Sequence, residues 1–167
     1  MPLRSCQQCG TAKTRLAPCQ TLSDTVLTVF TIYPFRCQLC AKRFRALLGR
    51  RTKSPRRSFE RVNVSFPVWF KSRLASPHDM GQEGVLDNLS LRGCRIRSQM
   101  PLSPGTRLEL EFQYADCSFP ITIDEAVVRS AIDDAIGLRF VQLRREDERR
   151  LRQIVDLWLP EHTPSGL

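Results

Sequence analysis

Hydrophobic and polar residues alternate with a period of two along most of the chain after residue 60. The clearest case is residues 62–70, where Val or Phe occupies every second position. Further strand-like runs lie at residues 85–89, 94–97, 108–114, 119–129 and 136–141. Period-two alternation is typical of strands with one buried face. About six short strands at this spacing predict a closed antiparallel barrel, which makes the chain mainly β.

The period changes from that of a strand to that of a helix near the end of the chain. Four apolar residues recur there at helical spacing: Leu151, Ile154, Val155 and Trp158. They predict an amphipathic helix over residues 144–159, which Pro160 ends. The apolar stripe favours packing over an open end of the barrel, and contact with a partner helix is the alternative.

Two C-x-x-C pairs organise the first part of the chain: Cys6 with Cys9, and Cys37 with Cys40. Each pair places two thiolates on one side of a tight turn, and two such turns supply the four sulfur ligands of a tetrahedral Zn²⁺ site. We therefore predict a zinc ribbon over residues 1–44. A segment this short buries too little apolar surface to fold alone, so the zinc would be structural. A redox dithiol and unrelated free cysteines are the alternatives.

Local sequence patterns predict the other features of this region. Residues 25–33 are rich in β-branched and aromatic side chains and predict a strand between the two cysteine pairs. The remaining cysteines and the histidines are not expected to bind metal: Cys19, Cys94, Cys117, His78 and His162. Cys94 and Cys117 fall in or beside predicted strands and are expected to be small core residues.

Basic residues are concentrated in the first third of the chain. Residues 1–57 carry a net charge of +11 and residues 58–167 a net charge of −2. A basic region favours phosphate-rich partners such as a nucleotide, nucleic acid or anionic lipid. The predicted organisation is a zinc ribbon at 1–44, a basic linker at 45–55, a barrel with its helix at 56–160 and a tail at 161–167.

Two polar motifs lie at the start of the predicted barrel. The first is R-x-x-x-R, formed by Arg57 and Arg61 with Arg56 adjacent. The second is N-x-S-x-x-G, formed by Asn88, Ser90 and Gly93. Arginine binds phosphate or the O6/N7 edge of guanine, and an asparagine carbonyl accepts from the N1–H and N2–H groups of guanine. Serine adds a short hydroxyl, and glycine allows close approach of the backbone. Together the motifs suit a guanine nucleotide.

These motifs, in this order, resemble those of the PilZ domain, a bacterial receptor for cyclic di-GMP. The Gly-Leu-x-Phe run at residues 137–140 is also similar to the closing strand of that family. The resemblance covers roughly residues 55–160 and implies a six-stranded barrel with a C-terminal helix. It implies a cyclic di-GMP site formed by Arg56, Arg57, Arg61, Asn88, Ser90 and Gly93. Binding would draw residues 55–61 against the barrel and reorient the ribbon.

Three functions are consistent with these patterns. The first is a cyclic di-GMP receptor that signals to a partner protein through interdomain movement. The second is a nucleic-acid-binding zinc ribbon with the barrel as a structural platform, because Phe35 and Phe44 lie among basic residues. The third is a PilZ barrel that has lost nucleotide binding and mediates only protein contacts. The two intact motifs favour the first function.

An enzyme is not expected from this sequence. It carries no Ser/His/Asp set, P-loop, Gly-rich dinucleotide fingerprint or H-E-x-x-H motif, and a zinc site closed by four cysteines leaves no position for a reactive water. No apolar run approaches the ~20 residues needed to span a bilayer. The N-terminal sequence lacks the apolar region of a signal peptide, so we expect a cytoplasmic protein.

Overall fold

The chain divides into two compact units in a computed structural model that describes residues 5–48, 53, 55, 57–74, 80–114 and 119–159. We call Met1–Glu60 together with Leu159–Leu167 the ribbon unit, and Arg61–Trp158 the barrel unit. The division falls after Glu60, whereas the sequence placed the start of the barrel at residue 56. Several predicted features lie outside the described residues: Arg56, His78, Cys117, His162 and the tail at 161–167.

The described residues of the ribbon unit form a three-stranded antiparallel sheet and one helix. Its elements are β1 (Thr14–Leu16), α1 (Leu22–Val29), β2 (Ile32–Cys37) and β3 (Arg43–Leu47), and the strand order is β1-β2-β3. Phe35 of β2 is buried and stacks on Phe44 of β3, with ring centroids 5.9 Å apart. The sheet therefore continues three residues past the predicted end of the ribbon at residue 44.

The predicted strand at residues 25–33 is wrong over most of its length, because α1 occupies this stretch up to Val29. The helix begins with a capping box: the Thr21 hydroxyl accepts from the Asp24 amide, and the Asp24 carboxylate accepts from the Thr21 amide. This arrangement satisfies backbone donors that a helix start otherwise leaves unpaired. The local cap outweighs the weak strand preference of the β-branched residues that follow.

The barrel unit is a closed antiparallel barrel with the strand order β4-β5-β6-β9-β8-β7. The strands are β4 (Val62–Ser72), β5 (Gln82–Ser90), β6 (Gly93–Arg97), β7 (Arg107–Phe112), β8 (Ile121–Ile132) and β9 (Ala135–Gln142). Burial alternates strictly from Val62 to Phe70 along β4, as the period of two predicts. Closure pairs β4 with both β5 and β7, and its pairing with β7 starts at Val68, immediately after Pro67.

The final element, α2 (Arg145–Trp158), packs against β8 and β4. Leu151, Ile154 and Val155 are buried, whereas Trp158 is 46% exposed. The predicted amphipathic helix is confirmed, and its apolar stripe faces the barrel. The prediction of a mainly β chain with a six-stranded barrel and a C-terminal helix is also confirmed. Neither of the described helices has the length and apolarity needed to cross a bilayer.

Candidate functional site

The four predicted cysteine ligands converge in the ribbon unit. The Sγ atoms of Cys6, Cys9, Cys37 and Cys40 all lie within 4.8 Å of one another. The Sγ atoms of Cys6 and Cys40 are 3.4 Å apart, and those of Cys9 and Cys37 are 3.5 Å apart. Zn–S bonds of about 2.3 Å in a tetrahedron place sulfurs about 3.8 Å apart, so the cluster fits a zinc ion.

Backbone hydrogen bonds prepare this cluster for thiolates. The amides of Leu39 and Cys40 both donate to Cys37 Sγ at 3.4 Å. Burial acts against ionisation of Cys6, but hydrogen bonds from the backbone and from neighbouring thiols outweigh it and lower the pKa of Cys6 to about 7. Burial raises the pKa of both Cys9 and Cys37. A metal that binds here must therefore displace protons from these two thiols.

The N-x-S-x-x-G motif lies in the barrel unit, where β5 ends and β6 begins. Asn88 pairs across the strands with Asn63 of β4, and its Nδ2 donates to Asn63 Oδ1 at 3.0 Å. The Oδ1 atom of Asn88 is buried and has no hydrogen-bond partner among the residues that the structure describes. A buried acceptor without a partner costs free energy. A hydrogen-bond donor from outside the described residues would remove this cost.

Arg61 lies beside this motif within the same unit. It immediately precedes Val62, which pairs with Leu89, so the strand register places Arg61 next to the end of β5. Its side chain is exposed. Burial raises the pKa of the Cys94 thiol, and the Arg61 charge acts in the opposite direction. The structure thus brings Arg61 and the Asn88–Gly93 motif together at one end of two neighbouring strands.

Ser90 and Gly93 act within the turn that joins β5 to β6. The buried Ser90 hydroxyl donates to the Gly93 carbonyl at 3.0 Å. A Cβ added at Gly93 would lie 2.2 Å from the Leu138 carbonyl oxygen on β9. The close approach of the backbone that glycine allows is here the approach of β6 to β9.

Two residues of this region were not found from the sequence. Asn63 holds the Asn88 amide, but only the register of β4 against β5 reveals this pair. Asp87 accepts from Arg95 Nε at 2.7 Å and from Arg97 Nε at 2.9 Å. Burial opposes ionisation of Asp87, but hydrogen bonds from the two arginines outweigh it and lower its pKa. The alternate positions of Arg95 and Arg97 place both side chains on the same face of a strand. This spacing is a sequence signal that one carboxylate can bind both arginines.

The two remaining residues of the predicted site, Arg56 and Arg57, do not belong to the barrel unit. Arg57 belongs to the ribbon unit, and its side chain is exposed. Arg56 lies outside the described residues. Guanidinium, amide and hydroxyl groups are suited to binding an anionic, hydrogen-bonding ligand.

Comparisons with known proteins agree with this architecture. The family model for the PilZ domain matches residues 55–157. Among solved structures, the Bacillus subtilis inhibitor of motility (MotI/DgrA) aligns with 15% identity and a TM-score of 0.53, covering 75% of this chain and 66% of that one. The PilZ domain of YcgR from Escherichia coli, solved with cyclic di-GMP, aligns with 19% identity and a TM-score of 0.50, covering 62% of this chain and 92% of that one. At these identities the likenesses concern the fold alone. A search of curated proteins finds no match.

Proposed function

Because the chain belongs to the PilZ domain family, we propose that it is a receptor for cyclic di-GMP. The observation that carries the proposal is the buried Asn88 Oδ1, which has no hydrogen-bond partner among the described residues and lies beside Arg61. A structural relative, the PilZ domain of YcgR, was solved with this nucleotide.

The guanine base would bind at Asn88. Its Oδ1 accepts from the N1–H and N2–H groups of guanine, while its Nδ2 stays bonded to Asn63. Leaving a buried acceptor unpaired costs about 1–3 kcal/mol, so a guanine that satisfies it recovers part of that penalty. This arrangement distinguishes guanine from adenine, because adenine has no N–H group at N1.

The phosphates and the outer guanine edges would bind the arginines. Arg57 and Arg61, with Arg56 assisting, offer planar guanidinium groups that match phosphate oxygens or guanine O6 and N7. Each charge-assisted hydrogen bond contributes roughly 1.5–3 kcal/mol. Ser90 would contribute as an acceptor, because its proton is already donated to the Gly93 carbonyl.

We also propose that the cysteine cluster binds a structural Zn²⁺ ion. Cys6, Cys9, Cys37 and Cys40 would hold it, and their mutual distances fit a tetrahedral site. The bound ion would supply folding free energy to the ribbon. A cytoplasmic location and a protein partner that receives the signal complete the proposal.

The packing of two phenylalanines weakens the alternative of a nucleic-acid-binding ribbon. Phe35 and Phe44, which motivated it, stack on each other, and Phe35 is buried within the ribbon sheet. A buried ring does not offer its face to a base. That alternative stays a prediction, tested by nucleic-acid binding that weakens steeply with salt and survives loss of Arg57 and Asn88.

Isothermal titration calorimetry with cyclic di-GMP tests the receptor function. We expect low-micromolar or tighter binding to the zinc-loaded chain, and at least about tenfold weaker binding by the Arg57→Ala, Arg61→Ala and Asn88→Ala variants. Arg129→Ala, which removes an exposed arginine from β8, is the matched control and should bind like the original chain. Absence of binding by the original chain with its metal confirmed would refute the proposal.

A further inference from the structure

The second C-x-x-C turn contains a buried polar side chain, that of Gln38, which is only 2% exposed. Its Oε1 accepts from the Glu60 amide at 2.6 Å. Its Nε2 donates to the carbonyls of Ser58 and Arg36, both at 3.1 Å. We call the bonds from Gln38 to Ser58 and Glu60 the Gln38 contact. It lies entirely within the ribbon unit.

The Gln38 contact holds the segment between the two arginines of the R-x-x-x-R motif. Ser58 and Glu60 are fixed through their backbone groups, and the Arg36 guanidinium lies over the ring of Phe59, 5.4 Å from its centroid. The side chains of Arg57 and Arg61 are both exposed. The contact therefore uses the backbone of the motif and leaves both guanidinium groups at the surface.

Gln38 lies directly beside Cys37, one of the four cysteines of the cluster. Its neighbour Cys37 is fully buried and accepts two backbone hydrogen bonds from the same turn. The Gln38 amide donates to the Lys13 carbonyl at 2.9 Å, which joins this turn to the start of β1. The first C-x-x-C turn has a glutamine in the same position, Gln7, but that side chain is exposed. The two turns are alike in sequence, and among the described residues the glutamine of the second turn holds another segment, whereas none is found held by that of the first.

We propose that Gln38 is a positioning residue that couples the metal state of the cysteine cluster to cyclic di-GMP affinity. The inference rests on the proposed nucleotide site. With the metal bound, the second turn is closed and Gln38 fixes the backbone between Arg57 and Arg61 before the ligand arrives. Because the segment is already ordered, nucleotide binding does not carry the conformational-entropy cost of ordering it. Loss of the metal frees the segment and weakens nucleotide binding.

The coupling must act in both directions. If metal at the cluster strengthens nucleotide binding by a given factor, bound nucleotide strengthens metal binding by the same factor. A chelator should therefore remove zinc more slowly or less completely when cyclic di-GMP is present. This readout does not depend on any downstream activity.

The test compares Gln38→Ala with Gln7→Ala in the full zinc-loaded chain. We expect Gln38→Ala to bind cyclic di-GMP about tenfold more weakly by calorimetry, and Gln7→Ala to bind like the original chain. Hydrogen exchange at the Glu60 amide should accelerate only in Gln38→Ala, because that amide donates to the side-chain Oε1 of Gln38. Zinc content is measured in each sample. If Gln38→Ala loses its metal, Gln38→Met, which keeps the side-chain volume without its hydrogen bonds, replaces it.

The outcomes separate this inference from the proposed function. Unchanged or tighter nucleotide binding by a zinc-loaded Gln38 variant, with normal binding by the original chain, would overturn the coupling alone. An original chain that binds no cyclic di-GMP would overturn both. A slowly exchanging Glu60 amide that becomes fast in the Gln38 variant, together with weakened binding, supports the inference.

Discussion

Asp87 and Asn88 are adjacent in sequence, yet their side chains form hydrogen bonds with different neighbours of β5, which are β6 and β4. The pairing of β5 with β6 skips Asp87, since Leu86 pairs with Ile96 and Asn88 with Arg95. Asp87 is therefore the extra residue of a bulge, and its carboxylate binds two arginines of β6. Asn88 instead contacts Asn63 of β4. The bulge thus separates a structural ion pair from the residue proposed to read guanine.

Replacing Asp87 should change how barrel stability depends on pH. Its folded-state pKa is lowered, so its contribution is present above its unfolded value of about 3.9 and is lost as the pH falls through the folded value. We expect Asp87→Asn to lower the free energy of unfolding at neutral pH by about 1 kcal/mol, and the difference to shrink in acid. Both tryptophans, Trp69 and Trp158, belong to the barrel unit, so their fluorescence during urea unfolding reports this unit.

Asp133→Asn is the matched control for this measurement. Asp133 is exposed and lies in the turn between β8 and β9, where its φ of 52° is a conformation that asparagine also adopts readily. The control should keep the pH profile of the original chain. An equal loss of stability at pH 7 and at pH 2 in Asp87→Asn would contradict the assigned ion pairs.

At the scale of the elements, α1 departs from the usual pattern of a surface helix. It buries Asp24, whereas Leu22, Val26 and Val29 are all more than half exposed. The Asp24 carboxylate bonds Arg43 and Arg45 of β3, and the hydrogen bonds that it accepts hold its pKa at about 2. The helix is therefore attached to its sheet by a carboxylate rather than by an apolar stripe.

Removing that carboxylate should loosen α1 without affecting the barrel. In Asp24→Ala the capping box and both ion pairs are lost. We expect the free energy of local opening of the helix to fall by about 1–3 kcal/mol. Hydrogen exchange of the amides in residues 22–29 measures this loss. Val26→Ala, an exposed substitution in the same helix, should not accelerate exchange. Exchange rates in Asp24→Ala equal to those of the original chain would show that the cap does not hold the helix.

At the scale of the whole molecule, the boundary between the two units falls between the two arginines of one motif. Arg57 lies in the ribbon unit and Arg61 is the first residue of the barrel unit. The motif therefore runs from one unit into the other. The sequence predicts that nucleotide binding changes how the two units are arranged, and this stays a prediction.

Small-angle X-ray scattering tests this rearrangement. If the predicted movement occurs, saturating cyclic di-GMP will change the scattering profile of the zinc-loaded chain. The Asn88→Ala variant at the same nucleotide concentration is the control and should keep the profile of the free chain. Identical profiles with and without nucleotide, when calorimetry shows that the site is saturated, would contradict the proposed movement.

The sequence by itself determined the parts that follow from local periodicity and spacing. Alternation with a period of two predicted the barrel strands, helical spacing predicted α2, and the C-x-x-C pairs predicted the cysteine cluster. The strand and helix patterns are each complete within a short stretch of sequence, and the C-x-x-C pattern occurs as two short copies. All of them can therefore be recognised without knowing the fold.

The tertiary structure alone decided which distant side chains meet. Asn63 and Asn88 are 25 positions apart, and Gln38 and Glu60 are 22 positions apart. No local pattern links such pairs, because strand register and the path of the chain set them. For the same reason the sequence pattern did not predict α1. This helix is attached to β3 through the ion pairs of Asp24 with Arg43 and Arg45, which its hydrophobic pattern does not reveal. The sequence contains both polar motifs, and the register of β4 against β5 places Arg61 and Asn88 at the same end of these two strands.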